Sequence, residues 1–180
     1  MMMGRRWRRL RDERGMTLIE LCIVMTILAI LMGIATAMLL RARVSANEIA
    51  AISALKTINT AQVAYAAACG AGNFASNLLI LGVKPPGARQ GYLSEDLSAS
   101  TSPERSGYRI NVTDGAGSQP APKDCNGTDA ITNYYASAIP MALGKTGTRA
   151  FATTQRNGVY QLPGGVPPPE PFAPPAQLAQ

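Results

Sequence analysis

Arg14-Gly15-Met16-Thr17-Leu18-Ile19-Glu20-Leu21 opens an apolar run that continues to Leu40. No charged residue interrupts 21–40. As a helix those twenty residues reach ~30 Å, about the hydrocarbon thickness of a bilayer. One carboxylate, Glu20, stands at the front edge of the run, and six arginines (Arg5, Arg6, Arg8, Arg9, Arg11 and Arg14) precede it. The rest of the chain reads as cargo carried by this segment.

The charge distribution repeats that division. The formal net charge is +6, from 17 basic and 11 acidic residues. Residues 1–15 carry six Arg against Asp12 and Glu13, hence +4, which leaves +2 for the remainder. The high net charge is thus mostly a leader effect. Beyond the leader there is no basic stripe with interleaved aromatics, so nucleic-acid binding is not indicated. A secretory signal places its cleavage site after the apolar region. Here the candidate cleavage point, Gly15, precedes it. Arg-rich flanks stay in the cytoplasm, which puts the carboxy-terminal side beyond the membrane.

The order of basic leader, glycine, carboxylate and apolar run in Gly15-Met16-Thr17-Leu18-Ile19-Glu20-Leu21 and 22–40 resembles the cleavage and methylation signal of type IV pilins and type II secretion pseudopilins. The resemblance is strong over 14–40, weaker to Tyr65 and general beyond. It implies cleavage between Gly15 and Met16 by a prepilin peptidase, then N-methylation of Met16. The family's usual first mature residue is Phe, and this chain has Met16. Many members carry a proline near the middle of this helix, and this chain has none there.

Two readings of Thr17-x-x-Glu20 stand side by side. It has the spacing of a capping box, in which Glu20 would return to the Thr17 amide. Alternatively, a carboxylate at the membrane edge is expensive and marks function. In that reading Glu20 pairs with the freed amino group of Met16 on a neighbouring subunit and fixes axial register, since desolvation offsets much of the attraction. Gly33 also has two readings, as a small residue for close helix approach or as an ordinary membrane-helix glycine.

No glycine or proline interrupts 44–69. Ile49, Ile52, Leu55 and Ile58 recur at helical spacing, with Val63 and Tyr65 beyond, while Glu48, Lys56, Asn59 and Gln62 supply polar positions. One helix is therefore expected from Thr17 to about Ala68, apolar all round and then amphipathic. Cys69-Gly70-Ala71-Gly72-Asn73 ends it. Residues 74–82 read as a short turn of helix or a strand, and 92–97 as a further helical turn. Strands are expected at 108–112, 132–141, 148–154 and 159–162, the last pair joined by the turn signal Asn157-Gly158. Residues 164–180 hold six prolines and read as a disordered tail.

The expected fold class is α+β and pilin-like: a long amino-terminal helix, membrane-spanning in its first half, on a small antiparallel sheet. The expected divisions are a leader at 1–15, a membrane and filament-core helix at 16–40, its amphipathic continuation at 41–69, a head at 70–162 and a Pro-rich tail at 163–180.

Enzymatic chemistry is not indicated. The chain has no His, the commonest general base and metal ligand, and no Gly-rich phosphate loop. No catalytic residue, metal site or cofactor is assigned. Asp114, Asp124 and Asp129 are loosely spaced and read as solvated loop carboxylates rather than a calcium loop. Asn111-Val112-Thr113 and Asn126-Gly127-Thr128 fit the glycosylation pattern but read as surface-loop composition. Cys22 lies in the apolar run. Cys69 and Cys125 both fall beyond the membrane, where a disulfide between them would persist. Pilins often place their disulfide nearer the carboxy terminus, so this pairing departs from the resemblance.

The function expected is that of a structural subunit of a type IV pilus-like filament. Its partners would be the prepilin peptidase/methyltransferase, copies of itself, other pilin-like subunits, the inner-membrane assembly platform and the lipid bilayer. It would cross a bacterial inner membrane once, amino terminus in the cytoplasm, before entering a surface pilus or a periplasmic pseudopilus. The alternatives are a type II secretion pseudopilin and an uncleaved, membrane-anchored periplasmic binding domain.

Overall fold

A computed structural model describes residues 15–179, with side chains outside 35–37. The chain divides into two compact units, Met1–Leu39 and Leu40–Gln180. One helix, α1 (Leu18–Ala68), contributes to both. It starts one residue later than expected because Thr17 is the cap: the Glu20 amide donates to Thr17 Oγ1 at 3.3 Å. It ends where Ala71 and Gly72 turn left-handed, at φ of 49° and 88°. Gly70 is required there by space, since an added Cβ would overlap Asn73 O and the Tyr65 ring.

In the first unit every described side chain of α1 is exposed, including Leu18 at 80% and Ile23 at 54%. This part of α1 is long and apolar enough to cross a membrane.

In the second unit the carboxy-terminal half of α1 docks on a head built from two antiparallel sheets. The larger has the order β2 (Glu104–Arg105), β3 (Tyr108–Asp114), β6 (Tyr134–Pro140), β7 (Arg149–Thr154), β8 (Val159–Pro163) and β9 (Gln177–Leu178). The smaller joins β1 (Phe74–Ala75), β5 (Ala130–Ile131) and β4 (Pro120–Ala121). Two short helices, α2 (Leu78–Gly82) and α3 (Glu95–Ser98), lie between β1 and β2 in the chain. The four expected strands are β3, β6, β7 and β8, within two residues at each end. The turn at Asn157, with φ of 62°, closes the β7–β8 hairpin.

The buried face of α1 holds the expected Leu55, Ile58 and Tyr65, with Ile52 packed at its edge, but it also takes in residues expected on the polar side. Ile49 and Val63 are exposed, at 65% and 51%, while Ala51, Ala54, Leu55, Ile58, Ala61 and Tyr65 are buried together with Glu48, Asn59 and Gln62. Alanines line this face, and the polar side chains are buried because each finds partners. Gln62 behaves like a strand residue: its Nε2 donates to Ala75 O and its Oε1 accepts from Ala75 N, both at 2.9 Å. Asn59 Nδ2 donates to Thr153 Oγ1 at 2.9 Å, and its Oδ1 accepts from Tyr134 Oη at 2.9 Å. Fully paired, such groups escape the cost of burying polar atoms.

The tail also differs from expectation. Residues 164–179 lie against the sheet. The register of Tyr135 with Thr154, Ser137 with Ala152 and Ala152 with Tyr160 sets these residues on one face, away from α1. Phe172 covers that face, stacked on Tyr160 at 4.3 Å and on Tyr135 at 6.3 Å. Tyr135 Oη donates to Pro168 O at 2.7 Å, and burial with the Glu170 charge pushes its pKa up to about 12. The tail then adds β9 to the open edge of β8, pairing Tyr160 with Leu178. Prolines prevent a long ladder, but two residues suffice to cap an edge.

Candidate functional site

The processing and assembly segment begins at Gly15. Gly15, Met16 and Thr17 precede the helix and are exposed. A Cβ at Gly15 would meet no atom of the described residues within 4 Å, so nothing in the described fold calls for glycine there. Residues 1–14 of the expected leader lie outside the described residues.

Glu20 sits in the first turn, where the helix dipole favours a negative charge. Only half of the capping box forms. Thr17 accepts the Glu20 amide, and among the described residues no group engages the Glu20 carboxylate. Farther along, Thr26 Oγ1 donates to Cys22 O at 2.8 Å, which satisfies its hydroxyl within the helix and makes it compatible with lipid. Cys22 is a free, exposed thiol. The segment thus offers a free carboxylate at one end, an accessible glycine just before it, and an apolar surface on all described sides.

These features are those of a processed membrane subunit, and the match to known proteins falls on the same residues. Residues 10–36 carry the prokaryotic N-terminal methylation motif. The motif is the prepilin signal shared by type IV pilins and pseudopilins, and 15–36 of it are described here. No curated protein and no solved structure matches the chain. The motif therefore speaks for the amino-terminal segment, and the head must be read from its own geometry.

In the head, Cys69 and Cys125 form the expected disulfide, with Cα atoms 4.8 Å apart and 56 residues of separation. It ties the end of α1 to the 124–128 loop. Asp124 is not the solvated carboxylate expected. It is 7% exposed and accepts from Tyr65 Oη at 2.9 Å, Thr128 Oγ1 at 2.6 Å, and the amides of Asn126 and Thr128 at 2.9 and 2.8 Å. Burial works to raise its pKa, but the bonds from Thr128, Tyr65 and Asn126 outweigh burial and hold it low. Its acceptor positions are filled by the chain itself. The signal that reveals this role is Asp124-Cys125-Asn126-Gly127, an Asx-turn sequence.

A second carboxylate site went unread in the sequence. Glu48, 4% exposed, accepts from Thr148 N at 2.8 Å, Thr148 Oγ1 at 2.7 Å and Arg149 Nε at 3.0 Å. Burial opposes its ionisation, yet the bonds from Arg149 and Thr148 keep its pKa below 4.5. The partners lie about a hundred residues along the chain, and no local pattern announces them.

Proposed function

We propose that the chain is the precursor of a type IV pilin-like subunit with a structural, non-catalytic role. A prepilin peptidase cuts between Gly15 and Met16, Met16 is N-methylated, and the mature chain assembles with copies of itself and with other pilin-like subunits through the helix at 16–40. Glu20 meets the amino group of a neighbouring Met16. The chain waits in the inner membrane, amino terminus in the cytoplasm, until the assembly platform draws it into the filament. The observation that carries this reading is the methylation motif on a helix whose described apolar side chains before Leu40 have no cover within the chain. Once out of lipid, such a helix hides its surface only against other apolar helices.

Gly15 supports the cleavage site because the fold has no use for a glycine there. The mass of the mature amino terminus tests it. A methylated chain beginning at Met16 is expected, and Gly15→Leu should leave the precursor uncut. A mature chain retaining Arg14 would return the protein to the anchored-domain alternative.

Between the two filament types we favour a surface pilus over a type II secretion pseudopilus. Asp124, the most buried of the three loop carboxylates, is committed to Tyr65 and Thr128 rather than open to a calcium ion. Filaments sheared from the cell surface should contain the chain. Confinement to the periplasm with a defect in protein export on deletion would reverse that choice.

A further inference from the structure

The apolar run ends at Leu40, so the next residues of α1 are the first that a membrane-spanning chain would set among lipid headgroups. The head has a 480 Å³ cavity at that position, lined by Leu40, Arg41 and Val44 of α1 and by Gly144, Lys145 and Thr148 from around the β6–β7 loop. Leu40 and Val44 give it an apolar wall, its charged residues, Arg41 and Lys145, are both cationic, and no acidic side chain lines it. The adjacent carboxylate, Glu48, is already taken by Thr148 and Arg149. Among the described residues Arg41 and Lys145 form no ion pair.

The same loop leaves Met141 48% and Leu143 59% exposed. Apolar side chains beside exposed cations are the composition of a surface that enters the headgroup region. The loop is also held in shape. The amides of Lys145 and Thr146 donate to Ala142 O at 3.0 and 2.9 Å, and that of Gly144 to Gly147 O at 2.8 Å. Asn47 Nδ2 fastens the loop to α1 through Thr146 O at 3.0 Å. Gly147 is buried against the Tyr108 hydroxyl, where a Cβ would overlap. A loop ordered in advance presents its lysine without a further ordering cost on binding.

We infer that this cavity binds the headgroup of an anionic phospholipid, with the phosphate taken by Arg41 and Lys145 and the start of the acyl chains lying against Leu40 and Val44. The inference rests on the membrane-anchored reading above. The bound lipid seats the head on the membrane surface, and its release becomes part of drawing the subunit out of the bilayer.

The test uses the full chain, one copy per nanodisc, in phosphatidylcholine alone or with phosphatidylglycerol, and reads amide hydrogen exchange across 141–148. Slower exchange with phosphatidylglycerol is expected, with exchange in β6 and β7 unchanged. Lys145→Gln should reduce that protection by roughly fivefold, the effect of one basic residue at an anionic surface, and Lys145→Glu should abolish it. Equal exchange in the two lipids, with the chain inserted, would overturn the inference alone. A chain that fails to enter the disc would overturn both it and the membrane-anchored reading. Protection reproduced in phosphatidylcholine by inorganic phosphate would make the cavity a general anion site and overturn the lipid assignment. So would protection that appears only when two chains share a disc, which would give the face to a second copy.

Discussion

Glu20 and Glu48 lie on the same helix and have opposite fates. Glu48 is buried and receives hydrogen bonds from Thr148 and Arg149 of its own chain. Glu20 is exposed, and no described group of the chain engages its carboxylate. Their surroundings differ in the same way. Around Glu48, Asn59 and Gln62 find partners inside the head. Around Glu20, the leucines and isoleucines face outward on all described sides. Each square ångström of apolar surface left in water costs ~25 cal/mol, so that surface belongs in lipid or against other helices. One half of α1 is covered by its own chain, and among the described residues the other half is not.

Substitutions that act on one half alone sharpen this contrast, and any that cross over would break it. Glu20→Ala should lower filament yield by at least about tenfold, equivalent to ~1.4 kcal/mol per subunit contact, while leaving processing, insertion and head stability unchanged. Filament counts from sheared cells, set beside the unfolding midpoint of the head, provide both readouts. Cys125→Ser should cost the head about 4 kcal/mol, the entropy expected for a closed loop of this length, with no effect on insertion. Denaturant unfolding of the detergent-solubilised chain measures the loss.

Glu48→Gln should destabilise the head by about 2 kcal/mol, since it removes charge-assisted bonds and leaves Arg149 without its counter-ion. The same carboxylate predicts an acid limit. The folded pKa values of Glu48 and Asp124 both lie below their ordinary values of 4.5 and 3.8. Their contribution is therefore complete above those values and is lost as the pH falls through the lower, folded ones. The acid-unfolding curve of the head should lose its Glu48 component in Glu48→Gln. Phe172→Ala should have the smallest effect, about 1 kcal/mol beyond the area lost, through the Tyr160 stack. A change in filament yield at constant head stability in this variant would show that the tail also faces another subunit.

What the sequence made legible follows from how local each signal is. The apolar run with its methylation motif and the end of α1 at 70–72 are encoded within a few residues of themselves, and both could be read. So could β3, β6, β7 and β8, whose boundaries are set by alternation and by Asn157-Gly158. The docking face of α1 was legible at Leu55, Ile58 and Tyr65 but not at its alanines or at Glu48, Asn59 and Gln62, whose residue types carry no local sign of burial. The face accepts Asn59 and Gln62 because Thr153 and Ala75 answer them. The ordered tail was missed for a related reason. Six prolines argue against a ladder, and nothing near them shows that Tyr135 and Tyr160 await a ring. The disulfide was legible only because two cysteines lie on the same side of the membrane segment.

The bond between Glu48 and Arg149 also has a consequence in time. Ribosomes make the chain from its amino terminus, so α1 exists long before residue 149. Throughout that interval all of α1 has been made, whereas Glu48, Asn59 and Gln62 wait for groups of which some are still unmade. A chain cut short before β7 has lost Arg149, one answering group for Glu48, and Thr153, one of those for Asn59. An unfinished chain therefore holds a buried carboxylate and a buried amide short of partners, which sets it apart from a finished one.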